Sequence, residues 1–330
     1  MNIASNPAAK NKPGEEPHLA RNLANRHLQL IAIGGTIGTG LFMGSGKTIS
    51  LAGPSILLVY AVIGFMLFFV MRALGELLLS NLAYRSFADF AGDYLGPWAQ
   101  FFTGWTYWLC WIVTGIADVV AVTGYIAFWW PALAPWVPAL GLIAALLLLN
   151  LPNVRNFGEI EFWFALIKIV AIVALIIAGV VMLSTGYALP NGTKASISHL
   201  WANGGFFPNG FLGFVAGFQI AVFAFVGVEL VGTAAAETEN PVRNLPKAIN
   251  SIPIRIGLFY IGALFVIITV IPWNQVDPGK SPFVAMFSLA GLGIAAHVVN
   301  FVVLTSATSS ANSGIYSTSR MIYGLATSRL

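Results

Sequence analysis

The chain has 330 residues, of which 58% are hydrophobic and only 8% are charged, and its mean hydropathy is +0.82. A soluble domain of this length needs far fewer apolar residues, so the composition predicts an integral membrane protein. The net charge of +4 is too small and too scattered to indicate nucleic-acid binding. A single cysteine, Cys110, excludes an internal disulfide and a thiolate metal cluster, and we expect no metal and no cofactor.

The first 26 residues are polar and lack the apolar core of a signal peptide. They carry Lys10, Lys12, Arg21 and Arg26. We therefore expect residues 1–26 to form a cytosolic N-terminal tail and residues 27–330 to form one transmembrane domain.

Apolar runs of about 20 residues, the length at which a helix crosses the hydrocarbon core, follow this tail. Polar or Pro/Gly-rich breaks separate the runs, which predict an all-α protein with eight spans. The fourth span is short, and the eighth is long enough to project from the bilayer or to bend at its serine-rich middle. The predicted spans are residues 28–48, 54–80, 98–127, 136–152, 158–184, 211–236, 252–273 and 284–325.

The distribution of positive residues sets the predicted orientation. With the N-terminus inside, 12 of the 16 Lys and Arg residues lie on the cytoplasmic side, whereas Lys47, Lys194 and Lys280 lie outside and Lys168 lies within a span. The sequence therefore predicts a multi-pass protein of the cytoplasmic (inner) membrane with a cytoplasmic N-terminus.

Four glycines interrupt the first predicted span: Gly34, Gly35, Gly38 and Gly40. Each lowers helix propensity by up to ~1 kcal/mol relative to alanine. Irregular backbone at membrane depth survives only where protein or a polar cavity supplies hydrogen-bond partners, so this interruption predicts a ligand site. The alternative is that small residues at four-residue spacing let two helices pack closely.

A second interruption falls in the sixth span, where residues 223–229 place a glycine and the carboxylate of Glu229 inside an apolar run. Two interrupted spans in corresponding positions are typical of secondary transporters built from inverted repeats. Half-helix amides face anions in such proteins, and freed carbonyls face cations. An amino acid zwitterion presents both charges to a site of this kind.

Ionisable and hydroxyl side chains inside spans are the other candidates. Lys168 and Glu229 are costly in lipid and often mark proton pathways, so we consider both as proton carriers, with a structural role as the alternative. Asp118 in the third span is less specific, and we expect it to be structural. Ser309 and Ser310 in the eighth span are candidates for an ion site. The alternative is that they donate hydrogen bonds to the backbone of their own helix or serve in helix packing.

Six motifs are more distinctive than these single residues: NLANRH at 22–27, GGTIGTGLFMGSGK at 34–47, GWTYW at 104–108, FWFA at 162–165, VELVGT at 228–233 and ANSG at 311–314. Together they resemble the amino acid permeases of the amino acid-polyamine-organocation superfamily and, within it, the bacterial proton symporters of D-serine, D-alanine and glycine. The resemblance covers nearly the whole chain beyond the N-terminal tail.

This resemblance implies a LeuT-like core of ten helices in two inverted five-helix repeats, with discontinuous first and sixth helices and usually two further helices. The first repeat would lie at about residues 27–185 and an incomplete second repeat at about 205–330. We therefore expect a transporter core truncated after about eight helices.

The resemblance also implies roles for individual residues. The amides of Gly38, Thr39 and Gly40 would hold the substrate carboxylate. The carbonyls that would hold its ammonium are those of Thr36, Phe223 and Val226, with Phe223 also acting as a gate.

The same resemblance places the proton-coupling residues. Lys168 would occupy the place of a sodium ion, near the carbonyl of Gly34, and Glu229 would match the glutamate linked to proton-dependent transport.

The function expected from these residues is proton-coupled import of small neutral amino acids, namely glycine, alanine or serine, with D-isomers among the options. The partners would be the amino acid, the proton and membrane lipids. A transporter for another amino acid class, a membrane enzyme using Glu229 and Lys168, and a channel are the alternatives. The two spans contain no nucleophile-base pair at informative spacing, so we do not expect an enzyme.

Overall fold

The computed structural model describes residues 37–81, 84, 86–150, 154–230 and 240–327, of which 154–160 and 327 are described by their backbone alone. The predicted N-terminal tail lies outside these residues, as do Gly34 and Thr36. Within them every regular element is a helix, apart from an isolated antiparallel bridge between Ala188 and Lys194. The prediction of an all-α protein is confirmed for this part of the chain.

The helices are numbered here in chain order. They are α1 (Thr39–Phe42), α2 (Gly44–Ala52), α3 (Ile56–Ser80), α4 (Phe87–Leu95), α5 (Pro97–Ala127), α6 (Trp136–Asn150), α7 (Val154–Ser184), α8 (Gly210–Ala221), α9 (Pro241–Asn250), α10 (Ile252–Arg255), α11 (Ala263–Val270), α12 (Pro282–Leu289) and α13 (Gly293–Thr327). Short 3₁₀ helices lie at Gly53–Ser55, Ile197–Leu200, Val222–Phe225 and Trp273–Gln275, and a π-helix at Ile256–Gly262 joins α10 to α11.

Five helical stretches of the described chain are long and apolar enough to cross a membrane, and two shorter ones are also apolar. The chain is therefore a multi-pass membrane protein. The long stretches are Gly44–Ser80, Pro97–Ala127, Glu161–Ser184, Pro241–Val270 and Gly293–Ala326, and the shorter ones are Trp136–Asn150 and Gly210–Phe225.

Five is fewer than the eight spans predicted. Of the first predicted span, residues 28–36 lie outside the described residues, and its last residues belong to the stretch Gly44–Ser80. A turn at Gly53, where φ is 61°, still separates α2 from α3, at the predicted boundary between the first two spans. The fourth and sixth predicted spans are the two shorter apolar helices.

The prediction of one span over 284–325 is wrong. Two helices occupy this region, because the chain turns at Gly291 (φ 75°) between α12 and α13. The serine-rich part of α13 is continuous helix, with no break at its middle. Some of its hydroxyls donate to carbonyls of the same helix, as where Thr308 donates to Leu304, and others reach different elements, as where Ser306 donates to Ile37.

The helix α13 lies at the centre of the bundle. It packs along α5 and also contacts α7, α12, α6 and α1, while α3 packs against α8 and α9. The outer surface carries large apolar side chains such as Phe65, Trp98 and Ile294. The interior is more polar, since Glu161 and Lys168 are both 0% exposed. An apolar outside and ionisable groups inside are expected of a protein dissolved in lipid.

The contact between α7 and α11 generates a test of this packing. A Cβ on the buried Gly179 of α7 would collide with the side chain of Val266 on α11. Gly179→Leu should therefore destabilise the fold by about 1–3 kcal/mol through overpacking. The measurement is the thermal unfolding of the detergent-solubilised chain.

The matched control is Gly141→Leu on α6, an exposed position where an added Cβ would meet nothing within 4 Å. Its unfolding temperature should stay at the wild-type value. Equal unfolding temperatures for both variants would contradict the packing of α7 against α11.

Candidate functional site

The first interruption is visible where α1 begins. Gly38 is extended, with φ −129° and ψ −162°, and no side chain caps the helix that starts at Thr39. The Gly38 carbonyl accepts from the amides of Leu41 and Phe42, both at 3.2 Å. Helical geometry leaves the amides of Thr39 and Gly40 without an intrahelical acceptor. These two amides therefore need acceptors from outside the helix.

The second interruption is present within the predicted residues 223–229. The helix α8 tightens into the 3₁₀ turn Val222–Phe225, and the chain then becomes extended at Val226 (φ −61°, ψ 133°). Gly227 follows with φ 100°, a conformation that favours glycine. The α-helical pattern of hydrogen bonds is lost here, which leaves main-chain carbonyls to find other partners.

The two interruptions touch each other. A Cβ on Gly40 would lie 2.5 Å from the carbonyl oxygen of Phe223 and 2.5 Å from the Cα of Ala224. The absence of a side chain at Gly40 thus lets two backbones approach to a distance that no other residue permits. The contact brings the start of α1, which offers amides, next to a segment that offers carbonyls.

The helix α13 packs against one side of the first interruption. Ser306 donates a hydrogen bond of 2.8 Å to the carbonyl of Ile37, just before the helix begins. Ser310 lies one turn further on, and its hydroxyl would be 3.2 Å from a Cβ on Gly38. The structure therefore places Ser310, a candidate from the sequence, directly against the irregular segment.

The buried lysine takes part in a chain of hydrogen bonds between α7 and α13. Lys168 Nζ donates to Ser309 Oγ at 2.8 Å, and Ser309 donates to Glu161 Oε1 at 2.7 Å. The Lys168 Nζ–Glu161 Oε1 distance is 4.0 Å, and both side chains are buried. The structure thus brings the predicted Lys168 and Ser309 together and supplies a counter-ion for the lysine.

Sequence analysis missed Glu161. Because Glu161 lies near the start of the predicted span 158–184, the sequence predicts that it lies at the membrane boundary. The available signal is its seven-residue spacing from Lys168, which places both side chains on one face of α7, two turns apart.

The sequence predicts a structural role for Asp118, but the structure places it close to the first interruption and to Lys168. Its side chain on α5 is 0% exposed and faces the hydroxyls of Thr39 and Ser310 and the charge of Lys168. The hydroxyls of Thr39 and Ser310 are close enough to interact with the carboxylate, but within the described residues neither carboxylate oxygen nor the Thr39 hydroxyl makes a hydrogen bond of standard distance and angle. Asp118 therefore lies between the start of α1 and the lysine, with hydrogen-bonding capacity left over.

Glu229 lies in a different cluster from Lys168. Its Oε2 accepts from the amide of Gly227 at 3.0 Å, so the side chain satisfies the backbone of its own interruption. Its Oε1 accepts from the hydroxyl of Tyr107 on α5 at 3.3 Å. A structural hydrogen bond across the break, the alternative considered from the sequence, is thus present.

A cavity of about 450 Å³ opens next to α1. Met43, the residue between α1 and α2, lines it, so the cavity reaches within one helical turn of the first interruption. Tyr125 of α5 and Asn300 of α13 also line it, and the ion pair of Asp277 and Lys280 (3.4 Å) lies at its loop side. The cavity has room for a small solute, but its lining residues include none of residues 38–40 and none of residues 223–229.

The contact at Gly40 yields a prediction for binding. Gly40→Ala should weaken binding of glycine or D-alanine by about tenfold or more, because its Cβ would push the second interruption out of place. Binding is measured as ligand-induced thermal stabilisation of the purified chain.

The control is Gly44→Ala, where the added Cβ would make an ordinary contact of 3.5 Å with Ile220. This variant should bind as the wild type does. Unchanged affinity in a folded Gly40→Ala protein would show that the contact is not part of a binding site.

Comparison with known proteins is consistent with this geometry. Residues 27–330 match the amino acid permease family. The D-serine/D-alanine/glycine transporter of Escherichia coli (strain K12) is 68% identical over 311 residues, which are 94% of this chain and 66% of the relative. The chain therefore spans 66% of the length of that relative.

Two proteins of Bacillus subtilis (strain 168) are also similar. The amino-acid permease AapA is 56% identical over 97% of this chain and 69% of its own length. The probable threonine/serine transporter YbxG is 48% identical over 93% of this chain and 66% of its own length.

Proposed function

Because the chain belongs to the amino acid permease family, we propose that it acts in proton-coupled import of small neutral amino acids. Glycine, alanine and serine are the proposed substrates, with the D-isomers included, since the 68% identical relative carries the name of a D-serine, D-alanine and glycine transporter. The observation that carries the proposal is the contact of Gly40 with Phe223 and Ala224, where amides and carbonyls meet.

In this proposal the main chain recognises the zwitterionic head group. The amides of Gly38, Thr39 and Gly40 bind the carboxylate, helped by the positive end of the α1–α2 dipole. The carbonyls of Phe223 and Val226 bind the ammonium, with Thr36 as a third carbonyl from outside the described residues. The Phe223 carbonyl already accepts from the Val226 amide at 3.3 Å, and a carbonyl oxygen can accept a second hydrogen bond.

The proposed proton site is the cluster around Lys168. Its neighbours are Glu161 on the same helix, Asp118 on α5 and Ser309 on α13. Adding or removing one proton in this cluster changes the net charge of a site excluded from water. An uncompensated charge there costs free energy unless the charge of a neighbouring group also changes.

The helix α13 connects this cluster to the proposed substrate site. Ser309 contacts Lys168, and Ser306, on the preceding turn, holds the Ile37 carbonyl of the first interruption. Asp118 provides a second connection, because it faces both Lys168 and Thr39. The predicted proximity of Lys168 to the Gly34 carbonyl, the role of Glu229 in proton coupling and the gating role of Phe223 remain part of the proposal.

We extend the proposal to the cellular arrangement and to the repeats. The protein would lie in the cytoplasmic (inner) membrane with its N-terminus in the cytoplasm, as the distribution of Lys and Arg favours. Residues 27–185 and 205–330 would belong to the two inverted repeats of a LeuT-like core. Family membership excludes the membrane-enzyme alternative, because amino acid permeases are transporters.

The direct test is uptake of radiolabelled glycine and of both enantiomers of alanine into proteoliposomes that contain the purified chain. With the membrane potential clamped, a gradient of one pH unit, acid outside, should raise accumulation about tenfold for one proton per substrate, since one unit is worth about 1.4 kcal/mol. Accumulation that ignores the gradient would contradict proton coupling. A preference for large or charged amino acids would favour the alternative of another substrate class, and conductance without substrate would favour a channel.

The lysine cluster supplies a sharper prediction. Lys168→Ala should abolish the gain from the pH gradient while leaving part of the substrate binding, because the substrate head group is bound elsewhere. Gradient-driven uptake and thermal stabilisation by glycine are the two measurements. Lys194→Ala, at an exposed lysine in the bridge with Ala188 and outside the cavity, is the control and should retain the gain.

Removing one partner of a buried ion pair can prevent folding, since it leaves an uncompensated charge. The double variant Lys168→Met/Glu161→Gln removes both charges of the ion pair together, so that neither is left uncompensated by the other, and gives the same expectation. A full response to the pH gradient in either variant would remove Lys168 from the mechanism.

A further inference from the structure

The second interruption leaves one buried carbonyl without its normal partner. In a continuous helix the carbonyl of Ala224 accepts from the amide of Gly227 or Val228. Here the Gly227 amide donates to Glu229, and the Val228 amide donates to Phe225 at 3.3 Å. Because Ala224 is only 2% exposed, its carbonyl needs a partner from elsewhere in the protein.

Tyr260 supplies that partner. Its hydroxyl donates a hydrogen bond of 3.2 Å to the Ala224 carbonyl, and both residues are buried. Its ring stacks on Phe225, with centroids 5.1 Å apart and an interplanar angle of 18°. Two independent contacts thus join Tyr260 to consecutive residues of the irregular segment.

The position of Tyr260 depends on an unusual stretch of helix. It lies in the π-helix Ile256–Gly262, which interrupts the span between α10 and α11. A π-helical turn contains an extra residue, which rotates the following helical face by about 100°. Such stretches are rare and occur frequently at functional sites, and the distortion here carries the side chain that binds the Ala224 carbonyl.

We propose that the Tyr260 hydroxyl is a positioning group for substrate binding, an inference that rests on the proposed function. The peptide that it holds adjoins Phe223, whose carbonyl faces Gly40 and is proposed to bind the substrate ammonium. By fixing the Ala224 carbonyl away from the site, Tyr260 sets the direction of the Phe223 and Val226 carbonyls on either side. Tyr260 does not touch the substrate.

The test variant is Tyr260→Phe, which keeps the ring and its stacking. Loss of one neutral hydrogen bond should raise KM for uptake of glycine about three- to tenfold, with the maximal rate nearly unchanged. The factor should be the same for D-alanine, since the effect concerns the shared head group. An equal rise in the dissociation constant is expected from thermal stabilisation.

Tyr60→Phe is the matched control. Tyr60 belongs to the same aromatic cluster, 6.1 Å from Tyr260 and 5.4 Å from Phe225 between ring centroids. Its buried hydroxyl lies near Thr48 of α2, and within the described residues it makes no hydrogen bond of standard distance and angle and does not bind the Ala224 carbonyl. Removing this hydroxyl should leave KM at the wild-type value. The comparison therefore separates the loss of the contact with Ala224 from the effect of removing any hydroxyl from this aromatic cluster.

A second readout does not require transport. Amide hydrogen exchange at residues 226–228 should be about threefold faster or more in Tyr260→Phe than in Tyr60→Phe, because the interruption loses its external anchor. Unchanged amide exchange in both variants would overturn the proposal for Tyr260, whether or not the wild-type chain transports substrate. Absence of transport by the wild-type chain would instead count against the proposed function alone. A fall in maximal rate at constant KM would also overturn it.

Discussion

The structure depends on one constraint: main-chain polar groups removed from a helix inside a membrane protein must find partners within the protein. At the second interruption these partners are the Glu229 carboxylate for the Gly227 amide and the Tyr260 hydroxyl for the Ala224 carbonyl. At the first interruption Ser306 serves the Ile37 carbonyl. The groups left over, chiefly the amides of Thr39 and Gly40, are the ones proposed to meet the substrate.

The same constraint accounts for the distribution of polar residues. The hydroxyls of α13 divide into those that return to their own helix and those that reach other helices, such as Ser309 to Glu161. The buried charges of Lys168 and Glu161 offset each other through Ser309. Since α13 contacts both this pair and the first interruption, a protonation event and substrate binding would act on one helix.

Sequence reasoning located the irregular backbone because glycine density and an intramembrane carboxylate are local signals. It also found Lys168, whose charge stands out in an apolar run. It did not find Glu161, at the edge of a predicted span, or the π-helix around Tyr260, because π-helices have no sequence period of their own. The surroundings of Asp118 and the approach of Gly40 to Ala224 are tertiary contacts, which one sequence does not encode locally. The division at Gly291 depends on a positive φ that glycine permits but does not require.

The central claim is that bare main-chain groups at two broken helices hold the charged head of an amino acid. Solid-state NMR of the chain in lipid, with ¹³C-carboxyl glycine and ¹⁵N-labelled backbone, measures this most directly. The account predicts a distance of about 4 Å or less from the substrate carboxyl carbon to the amide nitrogens of Thr39 and Gly40. A bound glycine whose carboxyl carbon shows no dipolar contact with these amides would contradict it.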